Sequence, residues 1–115
     1  SDEIAGWDGK RLLEAYRSRR ESLAEEIQRE PDEWNLLYPR EMSALARELA
    51  TRTHEVPVAS RVPFQNAALR LDVLAENVHD YMKEKNYLYA KRHLRVLGDA
   101  VEECEAYLEL RERGF

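Results

Sequence analysis

Two apolar repeats in the second half of the chain constrain its fold more than any other feature of the sequence. Each repeat spaces apolar residues alternately three and four positions apart, as in a helix that buries one face. Only a short polar stretch, KEKN at 83–86, separates them, so the two predicted helices must pack antiparallel as a hairpin. The first repeat comprises Phe64, Ala67, Leu71, Leu74, Val78 and Tyr81, and the second comprises Tyr87, Ala90, Leu94, Leu97, Val101, Cys104 and Leu108.

The first half of the chain predicts two more helices. One runs from about Asp8, a suitable N-cap, to about Arg29, where Pro31 stops it. The other begins at Pro39, a favourable first-turn residue, and its apolar stripe fades by Thr53. Between these helices, the apolar stretch 32–38 predicts one or two helical turns that cover one end of the core.

These patterns predict an all-α fold, a bundle of about four helices in one domain over residues 1–115. The four prolines lie only between periodic segments, and β-branched residues never alternate over the length of a strand. We expect N-terminal helices in 8–54, a linker at 55–63 and the helical hairpin in 64–113. We also expect Asn86 to adopt the left-handed conformation at the hairpin turn. Because the hairpin is longer than the preceding helices, part of it should project beyond them.

Composition excludes several classes of protein. The 115 residues include 18 basic and 23 acidic side chains, which gives a net charge of −5. The single cysteine excludes an internal disulfide framework and cysteine-based zinc sites. No glycine-rich phosphate loop, membrane-length apolar run or signal-peptide pattern occurs. We therefore expect a cytoplasmic, non-enzymatic protein without cofactor or metal.

Three patterns in the sequence are candidates for catalysis or metal binding. Cys104 lies on the apolar stripe, which favours a small buried hydrophobe over a reactive thiol. Glu76 and His79 have the spacing used by di-iron bundles, but such sites need two of these motifs. Arg47 and His54 have the Arg-x(4–6)-His spacing of small helical ribonucleases, in which the histidine acts on the 2′-hydroxyl. A ribonuclease that uses this pair is the enzymatic alternative.

Charge is distributed unevenly along the predicted hairpin. Residues 60–95 carry seven basic and four acidic side chains, net +3, whereas residues 96–115 carry two and six, net −4. A basic tip and an acidic final helix could pair head to tail between two copies of the chain. Basic and aromatic side chains together can also contact phosphates and stack on bases. The candidate binding residues at the tip are Tyr81, Lys85, Tyr87, Tyr89, Lys91 and Arg92.

Residues 17–56 contain two helix motifs separated by a short break. Arg20, Leu23, Ala24 and Ile27 fit R-x-x-LA-x-x-I. The second motif reads roughly L-A-A-L-S-R-x-L followed by an acidic–apolar pair, and its matches are Met42, Ala44, Leu45, Arg47, Leu49, Glu55 and Val56. This arrangement resembles the N-terminal helical region of actinobacteriophage terminase small subunits. The resemblance covers about forty residues and implies an oligomeric, non-enzymatic component that recognises DNA in a packaging motor.

The residues favour one function over these alternatives. We expect a helical interaction and oligomerisation module, an adaptor that binds a protein partner and further copies of itself. DNA recognition in phage packaging ranks second, because the net charge is acidic and the basic tip is small. No contact with a membrane is expected.

Overall fold

The computed structural model describes residues 2–112 and confirms an all-α fold. Four helices form the bundle: α1 (Gly9–Gln28), α2 (Leu37–Leu49), α3 (Arg61–Lys83) and α4 (Tyr87–Glu112). Short 3-10 turns occupy Asp2–Gly6, Thr53–Glu55 and Val58–Ser60. No strand occurs among the residues described.

The four helices are arranged in a ring and run alternately up and down. Helix α1 packs against α2 and α4, and α3 packs against the same two helices. Arg17, in the first half of α1, pairs with Glu105, in the last third of α4. Glu30, just after α1, pairs with Lys91, near the start of α4. The chain is therefore an antiparallel four-helix bundle, and α3 and α4 form the hairpin that the two repeats predict.

The core lies on the apolar stripes of all four helices. At its centre, the Tyr16 hydroxyl crosses the bundle and donates a 2.7 Å hydrogen bond to the Leu71 carbonyl. Burial raises the pKa of the Tyr16 phenol, so this hydroxyl stays protonated as the donor. The largest fully buried side chains are Tyr16, Phe64, Leu12, Leu23, Ile27, Met42, Leu49, Leu71, Met82, Leu97, Val56 and Val78.

The helix ends follow local sequence signals, although at the hairpin turn Lys85 adopts the conformation expected of Asn86. The Asp8 side chain caps α1 by accepting a hydrogen bond from the Arg11 amide, as predicted. At the hairpin turn, Lys85 adopts the left-handed conformation with φ of 58°, so the prediction for Asn86 is wrong. Asn86 instead caps α4, because its side-chain oxygen accepts from the Tyr89 amide at 3.3 Å.

Helix α2 has only 13 residues, against 23 in α3, and the connections on either side supply the missing length. Of the turns predicted at 32–38, residues 37 and 38 belong to α2, whereas 32–36 form no helical turn, although Trp34 packs against the core. The segment predicted as a linker, 55–63, is also packed: it contains a 3-10 turn and the first residues of α3, and Val56 is buried.

The hairpin tip does not project freely as expected, because the α1–α2 connection contacts one side of it. Pro31 accepts a hydrogen bond from the Tyr87 hydroxyl through its carbonyl. Asp32 lies 3.7 Å from the Lys85 ammonium, and Glu30 lies 3.0 Å from the Lys91 ammonium. The prediction considered only the lengths of the helices. An irregular segment, here the α1–α2 connection, can also pack against the hairpin.

Gly98 gives α1 a close approach to α4. A Cβ atom at this position would lie 3.1 Å from Nη2 of Arg20. The Arg20 guanidinium fills this space and donates from Nε and Nη2 to the Leu94 carbonyl, at 3.0 and 2.7 Å. Packing therefore explains a glycine at this position, because the Arg20 side chain occupies the space that a larger residue would fill.

Candidate interaction surface

The predicted binding residues at the hairpin tip separate into an aromatic group and a paired group. The Tyr81 ring contacts Tyr89 and His93, with centroids 5.8 and 5.6 Å apart. The Arg92 guanidinium lies over the Tyr89 ring, 5.6 Å from its centroid. Tyr89 and Arg92 are exposed, whereas Tyr81 is half-buried. The aromatic group therefore presents one ring and one guanidinium to solvent.

The other three tip residues are used within the chain. Tyr87 is buried and is bonded to Pro31, while Lys85 and Lys91 pair with the acidic residues on either side of that proline. These two ion pairs neutralise part of the basic charge at the tip. Phosphate groups would have to compete with Asp32 and Glu30 for the lysines.

His93 adds a polar group beneath the tip. Its Nε2 atom is buried without a hydrogen-bond partner, and the ring packs edge-on to Tyr81. Burial lowers the pKa of His93, because the desolvated imidazolium is disfavoured. The ring is therefore neutral at pH 7 and packs as an aromatic side chain.

The outward side of the α3–α4 hairpin carries most of the exposed apolar surface. Eight large hydrophobic side chains are exposed among the residues whose burial is described, and six of them lie on these two helices. On α3 they are spaced at i, i+7 and i+11, which places them on one side of the helix. The six are Val62, Leu69, Val73, Leu88, Tyr89 and Val96.

An open cleft of about 610 Å³ lies between α2 and α3. Arg47 reaches across it toward Asp72, with Nε and Oδ2 4.0 Å apart, while the other Asp72 oxygen is buried without a partner. His79 contacts Asp80 at 3.1 Å and Trp34 edge-on. The wall combines acidic and basic groups without a dominant charge, and its residues are Pro39, Arg40, Ser43, Arg47, Glu76, His79 and Asp80.

The catalytic candidates from the sequence have separate environments. Arg47 faces Asp72 on α3, whereas His54 lies 3.9 Å from Glu55, whose carboxylate accepts from the Gly9 amide at the start of α1. Cys104 is buried, and burial raises the pKa of its thiol to about 12. No group of three metal-binding side chains, such as Glu76 and His79 would need, is found in the described part of the chain.

Sequence reasoning missed Arg52, which organises the opposite end of the bundle. Its guanidinium donates 2.9 Å hydrogen bonds to the carbonyls of Ala5 and Trp7 and pairs with Glu48 at 2.9 Å. These contacts fix the N-terminal segment against α2. Arginine residues in polar connecting segments are usually exposed to solvent, so no local sequence signal identifies this role of Arg52.

Comparison with known protein families, curated proteins and solved structures finds no match to this chain. Over the residues that the structure covers, no helix has the length and apolar character needed to cross a membrane.

Proposed function

We propose that this chain is a non-enzymatic helical interaction module that binds a protein partner through the outward side of the α3–α4 hairpin. The concentration of exposed large hydrophobic residues on this hairpin carries the proposal. Exposed large hydrophobic side chains gathered on one hairpin of a small domain are typical of a binding surface.

The apolar surface also has an ordered arrangement. Leu69 and Val73 lie one helical turn apart on α3, and Val96 lies on α4 of the same hairpin. Helices α1 and α2 differ, since Leu37 is the one exposed large hydrophobic residue among their described side chains. The contrast favours one binding side over a generally apolar surface.

The environments of the catalytic candidates support a non-enzymatic function. The buried Cys104 thiol is held protonated, and Arg47 and His54 have different charged neighbours. General acid–base chemistry needs groups that converge on one reacting atom. Incubation with labelled RNA tests the ribonuclease alternative: we expect no cleavage, and cleavage that His54→Ala abolishes and His93→Ala retains would overturn the proposal.

The ion pairs at the tip favour a protein partner over DNA. Lys85 and Lys91 are paired within the chain, so few basic residues remain for phosphates. Fluorescence anisotropy with duplex DNA tests the packaging alternative. We expect no measurable affinity at physiological salt, and salt-sensitive submicromolar binding that Lys91→Ala with Arg92→Ala abolishes would favour the alternative.

Partner capture with matched variants tests the proposal itself. Leu69→Glu with Val73→Glu places two charges on the apolar side of α3, whereas Val58→Glu places one on a residue that is 75% exposed outside the hairpin. We expect a partner that the wild-type chain and Val58→Glu retain and that the double variant loses. Equal capture by all three, with circular dichroism unchanged, would contradict the proposal.

A further inference from the structure

One row of exposed residues on α4 carries opposite charges at equal distances on either side of its centre. Its members are spaced four, three, four, three and four positions apart, so they form a narrow stripe on one side of the helix. All of them are exposed. We call this row the outer seam, and it consists of Leu88, Arg92, Arg95, Asp99, Glu102 and Ala106.

The charged residues of the outer seam are basic before Leu97 and acidic after it. Positions equidistant from this residue carry opposite charges or complementary apolar volumes. Arg95 corresponds to Asp99, and Arg92 corresponds to Glu102. At the ends of the seam, the large Leu88 corresponds to the small Ala106.

We propose that a second copy of the chain docks antiparallel on the outer seam, with a twofold axis beside Leu97. In a twofold interface each contact occurs twice, so residue i meets residue j and j meets i. Each copy then pairs its two arginines with the two carboxylates of the other copy, which gives four intermolecular ion pairs. At both ends of the interface, a leucine of one copy packs against an alanine of the other. This inference rests on the proposed interaction function and identifies one of its partners as the chain itself.

Three of the four seam charges are left without a side-chain partner inside the chain, and the fourth, Arg92, lies over the exposed Tyr89 ring. Arg95, Asp99 and Glu102 form no hydrogen bond or ion pair within residues 2–112. By contrast, the charged residues beside the seam are engaged: Glu103 approaches Arg70 on α3, and Glu105 pairs with Arg17 on α1. The bundle thus satisfies the flanks of α4 and leaves the complementary charges facing outward.

The direction of docking follows from the same charges. A parallel pairing would place arginine beside arginine and carboxylate beside carboxylate, and like-charge contacts at an interface are strongly unfavourable. The antiparallel pairing replaces each of them with an attraction.

Two charge-reversal variants test this docking. Arg92→Glu with Arg95→Glu makes the seam wholly acidic, and Asp99→Lys with Glu102→Lys makes it wholly basic. Each variant repels its own copies, whereas an acidic chain and a basic chain attract each other at both halves of the interface. Glu21→Lys with Glu25→Lys changes two exposed residues on α1 and serves as the control.

Sedimentation equilibrium measures the outcome. We expect the wild type and the control to self-associate, each seam variant to associate at least about 30-fold more weakly, and their equimolar mixture to recover the wild-type affinity. Raising the salt from about 0.02 M to about 0.5 M should weaken the wild-type dimer, because exposed charges are screened. Circular dichroism verifies that each variant is folded.

Three results would overturn the inference: a monomeric wild type at high concentration, seam variants that associate like the wild type, or a mixture that stays monomeric. The proposed function is judged separately by the α3 variants. A partner lost with Leu69→Glu and Val73→Glu, but retained by both seam variants, would leave that function standing without seam docking.

Discussion

The two ends of the bundle are closed in different ways. At one end, Arg52 is a buried cation whose side chain is only 11% exposed, and it binds backbone carbonyls of the N-terminal segment. At the other end, the hairpin tip is held by exposed ion pairs and one tyrosine hydroxyl. A buried charge that loses its partners costs far more than an exposed pair. We therefore expect the Arg52 end to be much more sensitive to substitution than the tip.

The largest expected effect is at the Arg52 end. Arg52→Ala removes the hydrogen bonds to the Ala5 and Trp7 carbonyls and the ion pair with Glu48, together with longer contacts to Ile4 and Glu55. We therefore expect a loss of about 3 kcal/mol in the free energy of unfolding. Arg47→Ala is the control, because its side chain is 62% exposed and its pair with Asp72 contributes less than about 1 kcal/mol. Urea denaturation compares them, and equal losses would show that the Arg52 contacts stabilise the fold no more than an exposed ion pair does.

A smaller effect is expected for Tyr87, which is buried at the tip. Tyr87→Phe removes the hydrogen bond to the Pro31 carbonyl but keeps the ring, so we expect a loss of about 1 kcal/mol. Tyr107→Phe is the control, since that hydroxyl makes no hydrogen bond among the described residues. If the two variants unfold at the same urea concentration, the tip depends on its ion pairs and not on Tyr87.

A substitution at the tip should stabilise the protein. Lys85 has a φ of 58°, a conformation that glycine adopts without steric cost. Lys85→Gly gives up an exposed ion pair with Asp32, and we expect a net gain of about 0.5–1 kcal/mol. Glu84→Gly is the control, because its φ is −85° and glycine brings only an entropic cost there. Thermal unfolding should show opposite shifts, and a lower midpoint for Lys85→Gly would contradict the assignment of strain.

The smallest effect concerns pH. Because burial lowers the pKa of His93 from 6.5, the unfolded chain takes up a proton at a higher pH than the folded one. This histidine therefore favours the folded state above pH 6.5, and its contribution is lost as the pH falls through 6.5 toward the lower folded value. Between about pH 7.5 and about pH 5, His93→Gln should lose less stability than the wild type. His54→Gln, which removes an exposed ring, is the control.

The periodic part of the sequence predicted the fold, and the irregular part did not. The stripes of α1, α3 and α4 identify the core because burial depends on spacing within one helix. The cover over the tip and the packed segment 55–63 depend on contacts between distant residues, such as Tyr87 with Pro31 and Glu55 with Gly9. No local pattern encodes such contacts.

The candidate surface shows the same division. The basic and acidic halves of the hairpin were evident from charge counts, and so was the idea that copies could pair through them. The sequence did not separate the seam charges, which face outward, from Lys85 and Lys91, which are paired inside the chain. That separation requires the position of the α1–α2 connection.

The bonds between Arg20 and the Leu94 carbonyl give the contact between α1 and α4 an unusual tolerance of acid. An ion pair such as that between Arg17 and Glu105 depends on two charges, whereas a peptide carbonyl carries no charge that acid could remove. If the bundle expands in acid, the register of α1 on α4 should be among the last features to disappear. Because Gly98 has no side chain, the Arg20 guanidinium can reach the Leu94 carbonyl. The missing side chain at this position should therefore help the contact between α1 and α4 to persist if the bundle expands in acid.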